Sequence, residues 1–154
     1  LNVGLSWSGT YNGPNEPYRS IPLKSLKKIF SLNANFYCLQ NNIREGDLKL
    51  FNSLNLINFG DYKLDELTSI IQDLDLVIAV DTSILHLSAV LNKETWAMFT
   101  MYPDWRWGEF DKFNPYSNLK IFKQKIFNNW THVEDSMFKE LNTKINEFDK
   151  MKIS

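Results

Sequence analysis

Apolar residues along this chain follow two patterns, and together they predict strands that alternate with helices. The run Leu76-Val77-Ile78-Ala79-Val80 is apolar throughout, which is typical of a strand buried on both faces of a parallel sheet. Before it, apolar residues at spacings of three and four predict a helix over 64–74. The same patterns predict strands at 3–7, 35–40, 56–59, 95–100 and 119–122, and helices at 23–30, 45–54, 84–91 and in the C-terminal stretch with Met137, Leu141, Ile145 and Phe148.

This alternation predicts the fold class. Short strand–helix–strand links force a parallel sheet with right-handed crossovers, so we expect a doubly wound, Rossmann-like three-layer αβα domain. The length of 154 residues corresponds to a single domain, 1–154. Ligands of such sheets bind at the carboxyl ends of the strands, near the point where strand order reverses. The loops of interest therefore follow Trp7, Gln40, Phe59, Val80 and Thr100.

Charge and cysteine content narrow the functional classes. Seventeen Lys and Arg against eighteen Asp and Glu give a net charge of -1, so we expect no nucleic-acid partner. The longest aliphatic run, 76–80, is far shorter than the roughly 20 residues that span a bilayer, so we expect no membrane span. A single cysteine, Cys38, suits a core residue in a reducing, cytoplasmic location. Because the chain begins with Leu1 rather than Met, we expect it to be a piece of a longer protein.

The loop after Val80 is the first candidate site. Asp81-Thr82-Ser83 begins a helix, and a helix N-terminus offers free amides and a positive dipole end to a phosphate. His86 lies one turn after Thr82, so its imidazole is expected to reach the same ligand. The alternative is that Asp81 only caps the helix and that His86 is a hydrogen-bonded core residue. Asn92 is expected to close this helix in the left-handed region.

Two other loops carry weaker signals. Ser8-Gly9 follows the first strand, where small residues allow close approach of a diphosphate, and Arg19 is the cation of the Asn-, Gly- and Pro-rich loop 10–19. The alternative is an ordinary surface loop with a solvated arginine. In the long loop 101–118, the spacing of Trp105-Arg106-Trp107 predicts a guanidinium between two indoles, for stacking, anion recognition or an interface. Packing of the two tryptophans is the alternative.

Several catalytic motifs are absent from the sequence. It contains no GxGxxG, no GxxxxGK[ST] and no GxSxG, which argues against a dinucleotide dehydrogenase, a P-loop NTPase and a serine hydrolase. No Cys, His, Asp and Glu cluster has metal-ligand spacing, so we expect no metal and no cofactor.

The quoted motifs, taken in order, resemble a known family. They are Arg19-Ser20-Ile21-Pro22-Leu23, Leu39-Gln40, Val80-Asp81-Thr82-Ser83-Ile84-Leu85-His86-Leu87, Trp105-Arg106-Trp107 and Ile121-Phe122-Lys123-Gln124. The chain resembles the C-terminal half of bacterial heptosyltransferase-like, family nine glycosyltransferases, and in particular the variant found after tetratricopeptide repeats. The resemblance implies one lobe of a GT-B fold, in which two Rossmann-like domains enclose the active site and the C-terminal one binds the nucleotide-diphosphate sugar.

The resemblance also implies roles for single residues. Thr82 and Ser83 would hold the donor diphosphate with the amides of their helix, and Asp81 and His86 would support the phosphate or the sugar. Ser8, Gly9 and Arg19 would approach the diphosphate, Gln40 would contact the ribose or base, and 61–64 would lie along the base.

The catalytic base is expected in an N-terminal domain outside this chain. We therefore expect the chain alone to bind the donor without transferring its sugar, and its partners to be that N-terminal domain or tetratricopeptide repeats. The rival hypothesis is a non-catalytic Rossmann-like interaction module that has lost donor binding and presents its Trp-rich face to a partner.

Overall fold

Six parallel strands form the sheet in the computed structural model, which describes residues 1–10, 16, 18–108 and 114–153. The strands are β1 (Asn2–Ser6), β2 (Asn35–Cys38), β3 (Ile57–Asn58), β4 (Leu76–Val80), β5 (Thr95–Phe99) and β6 (Leu119–Lys123). Their order across the sheet is β3-β2-β1-β4-β5-β6, and every pairing is parallel. The predicted strands are confirmed in position. Residues 11–15, 17 and 109–113 of the two predicted long loops lie outside the described residues.

The described helices also follow the prediction, with one difference. They are α1 (Glu45–Ser53), α2 (Leu64–Asp73), α3 (Ser83–Val90) and α4 (Thr131–Ile153), with two 3₁₀ helices at Leu23–Ser31 and Trp105–Trp107. The segment after Pro22 is thus a 3₁₀ helix and not an α-helix. Its buried residues Leu23, Leu26 and Ile29 are three apart, which matches the three residues per turn of that helix.

The sheet separates two apolar clusters, as a three-layer domain requires. The side chains of Leu76, Ile78 and Val80 join the cluster under α4 and the first 3₁₀ helix. Val77 and Ala79 join the cluster under α2 and α3. Every residue of β4 is buried, which confirms the prediction from its uninterrupted apolar run and the αβα class with it.

The strand order places the ligand crevice between β1 and β4. From β1 the chain proceeds outward to β2 and β3, whereas β4 leads to β5 and β6 on the other side. The connections after these two neighbouring strands therefore leave in opposite directions and open a crevice at their carboxyl ends. Ser6 ends β1 and Val80 ends β4, so the loops that start at Trp7 and Asp81 form its rims.

A buried carboxylate, Asp47, joins three elements behind this crevice. The indole Nε1 of Trp7 donates to Asp47 Oδ2 at 2.9 Å, and the amide of Leu23 donates to Oδ1 at 3.0 Å. Asp47 lies in the first turn of α1, where the helix dipole stabilises a negative charge. The end of β1, the first 3₁₀ helix and α1 are therefore locked together by one side chain that the sequence analysis did not single out.

Two local predictions are also confirmed. Cys38 is buried, and burial raises the pKa of its thiol to about 11, so it stays protonated as a core residue. Asn92 closes α3 with a φ of 57°, and its amide donates to the carbonyl of Ala89 at 3.0 Å. Among the described residues, no helix combines the length and apolar character needed to cross a membrane.

Replacement of Asp47 by alanine tests whether its hydrogen bonds to Trp7 and Leu23 hold β1, the first 3₁₀ helix and α1 together. Asp47→Ala leaves the Trp7 indole and the Leu23 amide without their acceptor, and each unpaired buried donor costs about 1 to 3 kcal/mol. We expect the free energy of unfolding, measured by urea denaturation, to fall by about 2 to 4 kcal/mol. Glu45→Ala removes an exposed carboxylate from the same helix turn and serves as the control. Equal stability of the two variants would contradict the lock.

Candidate functional site

A cleft of about 920 Å³ opens at the carboxyl ends of β1, β2 and β4. This volume falls within the usual range for small-molecule sites, about 300 to 1,000 Å³. The cleft brings together six of the predicted site residues, namely Ser8, Gly9, Arg19, Gln40, Thr82 and Ser83. The predicted loops after β1, β2 and β4 thus converge on one ligand-sized space.

The N-terminus of α3 forms one side of the cleft, and among the described residues no side chain caps it. Thr82 is the N-cap residue, but its hydroxyl donates back to the carbonyl of Val80 at 3.2 Å. Ser83 is exposed. The first amides of α3 are therefore available to a bound anion, and the dipole of the helix favours one there. The alternative in which Asp81 caps this helix is wrong.

Asp81 faces His86 instead. The carboxylate lies 3.6 Å from His86 Nε2 and 4.0 Å from Arg106 Nη2. Burial alone would raise the pKa of Asp81, but the nearby His86 and Trp107 side chains and the charge of Arg106 outweigh it, so the pKa is lowered. Asp81 is therefore ionised at neutral pH.

His86 is held by neighbours on the β5–β6 side of the domain. Its Nδ1 lies 2.9 Å from the hydroxyl of Tyr116, and its ring stacks on Trp107 with centroids 5.3 Å apart. Neither His86 nor Asp81 lines the main cleft. Asp81 lines a smaller cavity of about 120 Å³, together with Arg106 and with Arg19, which reaches both spaces. Contact of His86 with the same ligand as Thr82 stays a prediction.

The Trp105-Arg106-Trp107 segment does not form the predicted sandwich. Trp105 is 84% exposed, whereas Trp107 is 2% exposed and packs on Phe99 with centroids 4.7 Å apart. The guanidinium of Arg106 bonds Asp104 Oδ1 at 2.8 Å. In this 3₁₀ turn, consecutive side chains diverge by about a third of a turn, so the two indoles cannot enclose the residue between them. The packing alternative is correct for Trp107.

Gln40 lines the cleft, but its amide group already makes four hydrogen bonds within the protein. Its Oε1 accepts from the amides of Trp7 at 2.9 Å and Ser8 at 3.1 Å. Its Nε2 donates to Ser8 Oγ and to the carbonyl of Asn42, both at 3.0 Å. Gln40 thus fixes the start of the first loop. A direct bond from its side chain to a nucleoside stays a prediction and requires one of these bonds to break.

A second cation, Arg44, also lines the cleft and was missed by the sequence analysis. It forms an ion pair with Glu16, whose other carboxylate oxygen bonds Arg19 Nε at 2.8 Å. Arg44 follows β2 and is 28 positions from Glu16 in sequence. No local pattern signals this pair, since only the β1–β2 register brings the two loops together.

One part of the cleft wall is apolar. Ile43, Tyr62, Leu64, Leu67 and Ile84 line it, and the polar residues Thr10, Asn41, Asn42, Glu45 and Lys63 also line the cleft. Burial raises the pKa of the Tyr62 hydroxyl above its usual range, so Tyr62 stays neutral. This wall includes part of the segment 61–64 that the resemblance places along a base. Such a surface suits the flat faces of a heterocyclic ring.

The floor of the cleft contains Ser6, which the sequence analysis did not single out. Its side chain is buried, and its hydroxyl has no hydrogen-bond partner among the described residues. Ser6 ends β1 at the point where strand order reverses. A buried hydroxyl at this position is suited to a polar ligand.

Metal binding has no visible basis in the part of the chain that the structure describes. Within those residues, no group of three or more His, Cys, Asp and Glu side chains lies close enough to hold an ion.

The sequence profile described as Glycosyltransferase family 9 (heptosyltransferase) matches residues 28–140, which is more than half of the chain. The chain belongs to glycosyltransferase family 9. Enzymes of family 9 use nucleotide-sugar donors. A comparison with curated proteins finds no match.

Solved structures share the fold of this family 9 domain. The E. coli heptosyltransferase WaaC with ADP matches with a TM-score of 0.68 and 13% identity, over 91% of this chain and 43% of that one. The E. coli ADP-heptose lps heptosyltransferase II matches with a TM-score of 0.67 and 15% identity, over 96% of this chain and 47% of that one. The chain thus spans less than half the length of either enzyme and shares their αβα architecture.

Replacement of Gly9 tests the close packing of the first loop. A Cβ at Gly9 would lie 2.5 Å from Arg19 Nη2 and 2.7 Å from Glu16 Oε1, so Gly9→Ala must displace the charged cluster. We expect the free energy of unfolding, measured by urea denaturation, to fall by about 1 kcal/mol. In the control, Gly46→Ala, the new methyl meets nothing within 4 Å, and α1 gains about 0.5 to 1 kcal/mol. A neutral Gly9→Ala would contradict the packing.

Proposed function

We propose that this chain is the donor-binding domain of a family 9 glycosyltransferase and that a nucleotide-diphosphate sugar binds in the main cleft. The observation that carries this proposal is the uncapped N-terminus of α3, which faces Arg19 across the crevice between β1 and β4. Anions bind where helix amides and a guanidinium converge. The family match supports the same conclusion.

The diphosphate would lie between the first turn of α3 and the first loop. The amides that follow Thr82 would donate to its oxygens, and Arg19 would neutralise part of its charge. Arg19 Nη1 donates to the carbonyl of Asp81 at 3.4 Å, so the guanidinium already lies beside the start of the helix. Asp81 would contact the sugar or the terminal phosphate from the smaller cavity, and His86 would support it from 3.6 Å behind its carboxylate.

The nucleoside would lie on the apolar wall around Tyr62 and Leu64. A flat base gains free energy there by covering apolar surface, at about 25 cal/mol per Å². Since one of the similar structures contains ADP, ADP is the first nucleotide to test with this chain.

Transfer of the sugar would need a second domain. In the proposed reaction the acceptor hydroxyl oxygen bonds to the anomeric carbon, and the bond from that carbon to the diphosphate oxygen breaks. The hydroxyl proton passes to a base outside this chain, and the nucleoside diphosphate departs with the electron pair. Thr82, Ser83 and Arg19 would stabilise that leaving group. We propose an N-terminal Rossmann-like domain or tetratricopeptide repeats as the partner.

An interaction module without donor binding is the second candidate, and a group of exposed aromatic rings favours it. Phe127 lies 5.3 Å from Tyr18 and 6.0 Å from Tyr102 between ring centroids, and all three are exposed. Exposed aromatic clusters are typical of protein interfaces. Under this alternative, nucleotides do not change the chemical shifts of the amides that line the cleft.

Titration with ADP, followed through amide chemical shifts, tests the donor site. We expect shifts at Gly9, Ser83 and Ile84 that saturate. Ser83→Pro removes one helix amide at a position that tolerates proline, and it should weaken ADP binding about tenfold, since a hydrogen bond to a charged group is worth about 1.5 kcal/mol or more. Ser83→Ala, which keeps the amide, is the control. Absence of any response near Thr82 at millimolar ADP would refute the proposal.

A further inference from the structure

We propose that Arg44 is a second phosphate-binding residue, which acts together with Arg19 as a two-arginine clamp on the diphosphate. The inference rests on the proposed function, because it assigns how the same cleft holds the charge of its ligand. The resemblance assigns one cation, Arg19, to the diphosphate. Arg44 lies in the loop after β2, and the guanidinium groups of Arg19 and Arg44 both line the main cleft.

The two guanidinium groups are oriented by one carboxylate behind them. Glu16 bonds Arg19 through Oε1 and Arg44 through Oε2. The Glu16 side chain is 5% exposed, against 19% for Arg19 and 23% for Arg44. Glu16 is also outside the set of residues that line the cleft, within the described part of the chain. The arginines therefore lie between the carboxylate and the ligand space.

This arrangement leaves positive charge at the cleft. Two guanidinium groups against one carboxylate give the trio a net charge of +1. Burial would raise the pKa of Glu16, but hydrogen bonds from Arg19, Arg44 and Ser20 outweigh it and lower that pKa. Glu16 thus stays ionised at neutral pH and fixes both side chains before a ligand arrives. Such preorganisation reduces the entropic cost of binding.

The amides of Ser8 and Gly9, which begin the first loop, are already bonded within the protein. The amide of Ser8 donates to Gln40 Oε1 at 3.1 Å, and the amide of Gly9 donates to Ser20 Oγ at 3.0 Å. Glycine-rich phosphate loops bind anions through free amides at this position in a Rossmann-like fold. Here the amides of Ser8 and Gly9 have internal partners, and Arg19 and Arg44 supply charged donors on the same side of the cleft.

Hydrogen bonds hold the Arg44 guanidinium beside the proposed diphosphate site. Its Nη2 donates to the carbonyl of Gly9 at 3.4 Å and to Ser20 Oγ at 3.0 Å, which seats the guanidinium against the first loop. Thr82 and Ser83 line the opposite side of the same cleft. A diphosphate in the cleft would contact the helix amides on one side and the two planar guanidinium groups on the other. Each guanidinium can bind a pair of phosphate oxygens.

Calorimetric titration of the whole chain tests the clamp with inorganic pyrophosphate, ADP and adenosine. We expect Arg44→Ala to weaken pyrophosphate and ADP binding about ten- to hundredfold, as the loss of one charge-assisted bond implies. Arg44→Lys keeps the charge without the fork and should lie between Arg44→Ala and the wild type. Adenosine binding should be the same in all proteins. Lys139→Ala, which removes an exposed charge on α4, should bind all three ligands as the wild type does.

The outcomes separate the clamp from the nucleotide site. Wild-type affinity of Arg44→Ala for both pyrophosphate and ADP overturns the clamp and leaves the donor site standing. If pyrophosphate binding depends on Arg44 but adenosine does not bind and ADP binds no more tightly than pyrophosphate, the clamp is supported and the nucleotide site is refuted. If the wild type binds none of the three ligands, both proposals fail.

Thermal unfolding shows whether each variant is folded. If Arg44→Ala is unfolded, the test rests on Arg44→Lys. Weaker pyrophosphate binding by Arg44→Lys supports the clamp, and unchanged binding overturns it.

Discussion

The reversal of strand order between β1 and β4 is the constraint on which this site depends. Parallel strands align all their carboxyl ends at one edge of the sheet, and the reversal leaves an opening at that edge which no connection crosses. Ser6 and Val80 end the two central strands there. The residues that we assign to the diphosphate follow one of these strands or the neighbouring β2, and those that we assign to the base follow β3, so the topology decides which loops can share a ligand.

Within that opening, polar groups are divided between structure and ligand. Gln40 and Asp47 accept hydrogen bonds from Trp7 and its neighbours and hold the loop after β1 in place. The first turn of α3 has no side-chain cap, and Arg19 and Arg44 line the cleft above a buried carboxylate. A chain with a net charge of -1 thus concentrates positive potential at one point, where a helix dipole and two guanidinium groups act together.

The sequence was sufficient for the fold because its signals were local. The apolar run of β4 and the spacing of α2 identified buried strands and helix faces without tertiary information, and Asn92 marked the end of α3. The site was only partly predictable, since its contacts are long-range. Glu16 and Arg44 meet across two loops, and Asp47 joins Trp7 over 40 positions. The Trp105-Arg106-Trp107 prediction failed because adjacency in sequence says nothing about the direction of each side chain in a 3₁₀ turn.

A crystal structure of this chain with ADP would test the central claim most directly. The account predicts the diphosphate between the first turn of α3 and the loop that holds Gly9, with Arg19 and Arg44 on its oxygens and the base against Tyr62. It would be contradicted by ADP bound elsewhere, for example at the exposed rings around Phe127, while the cleft between β1 and β4 remained empty.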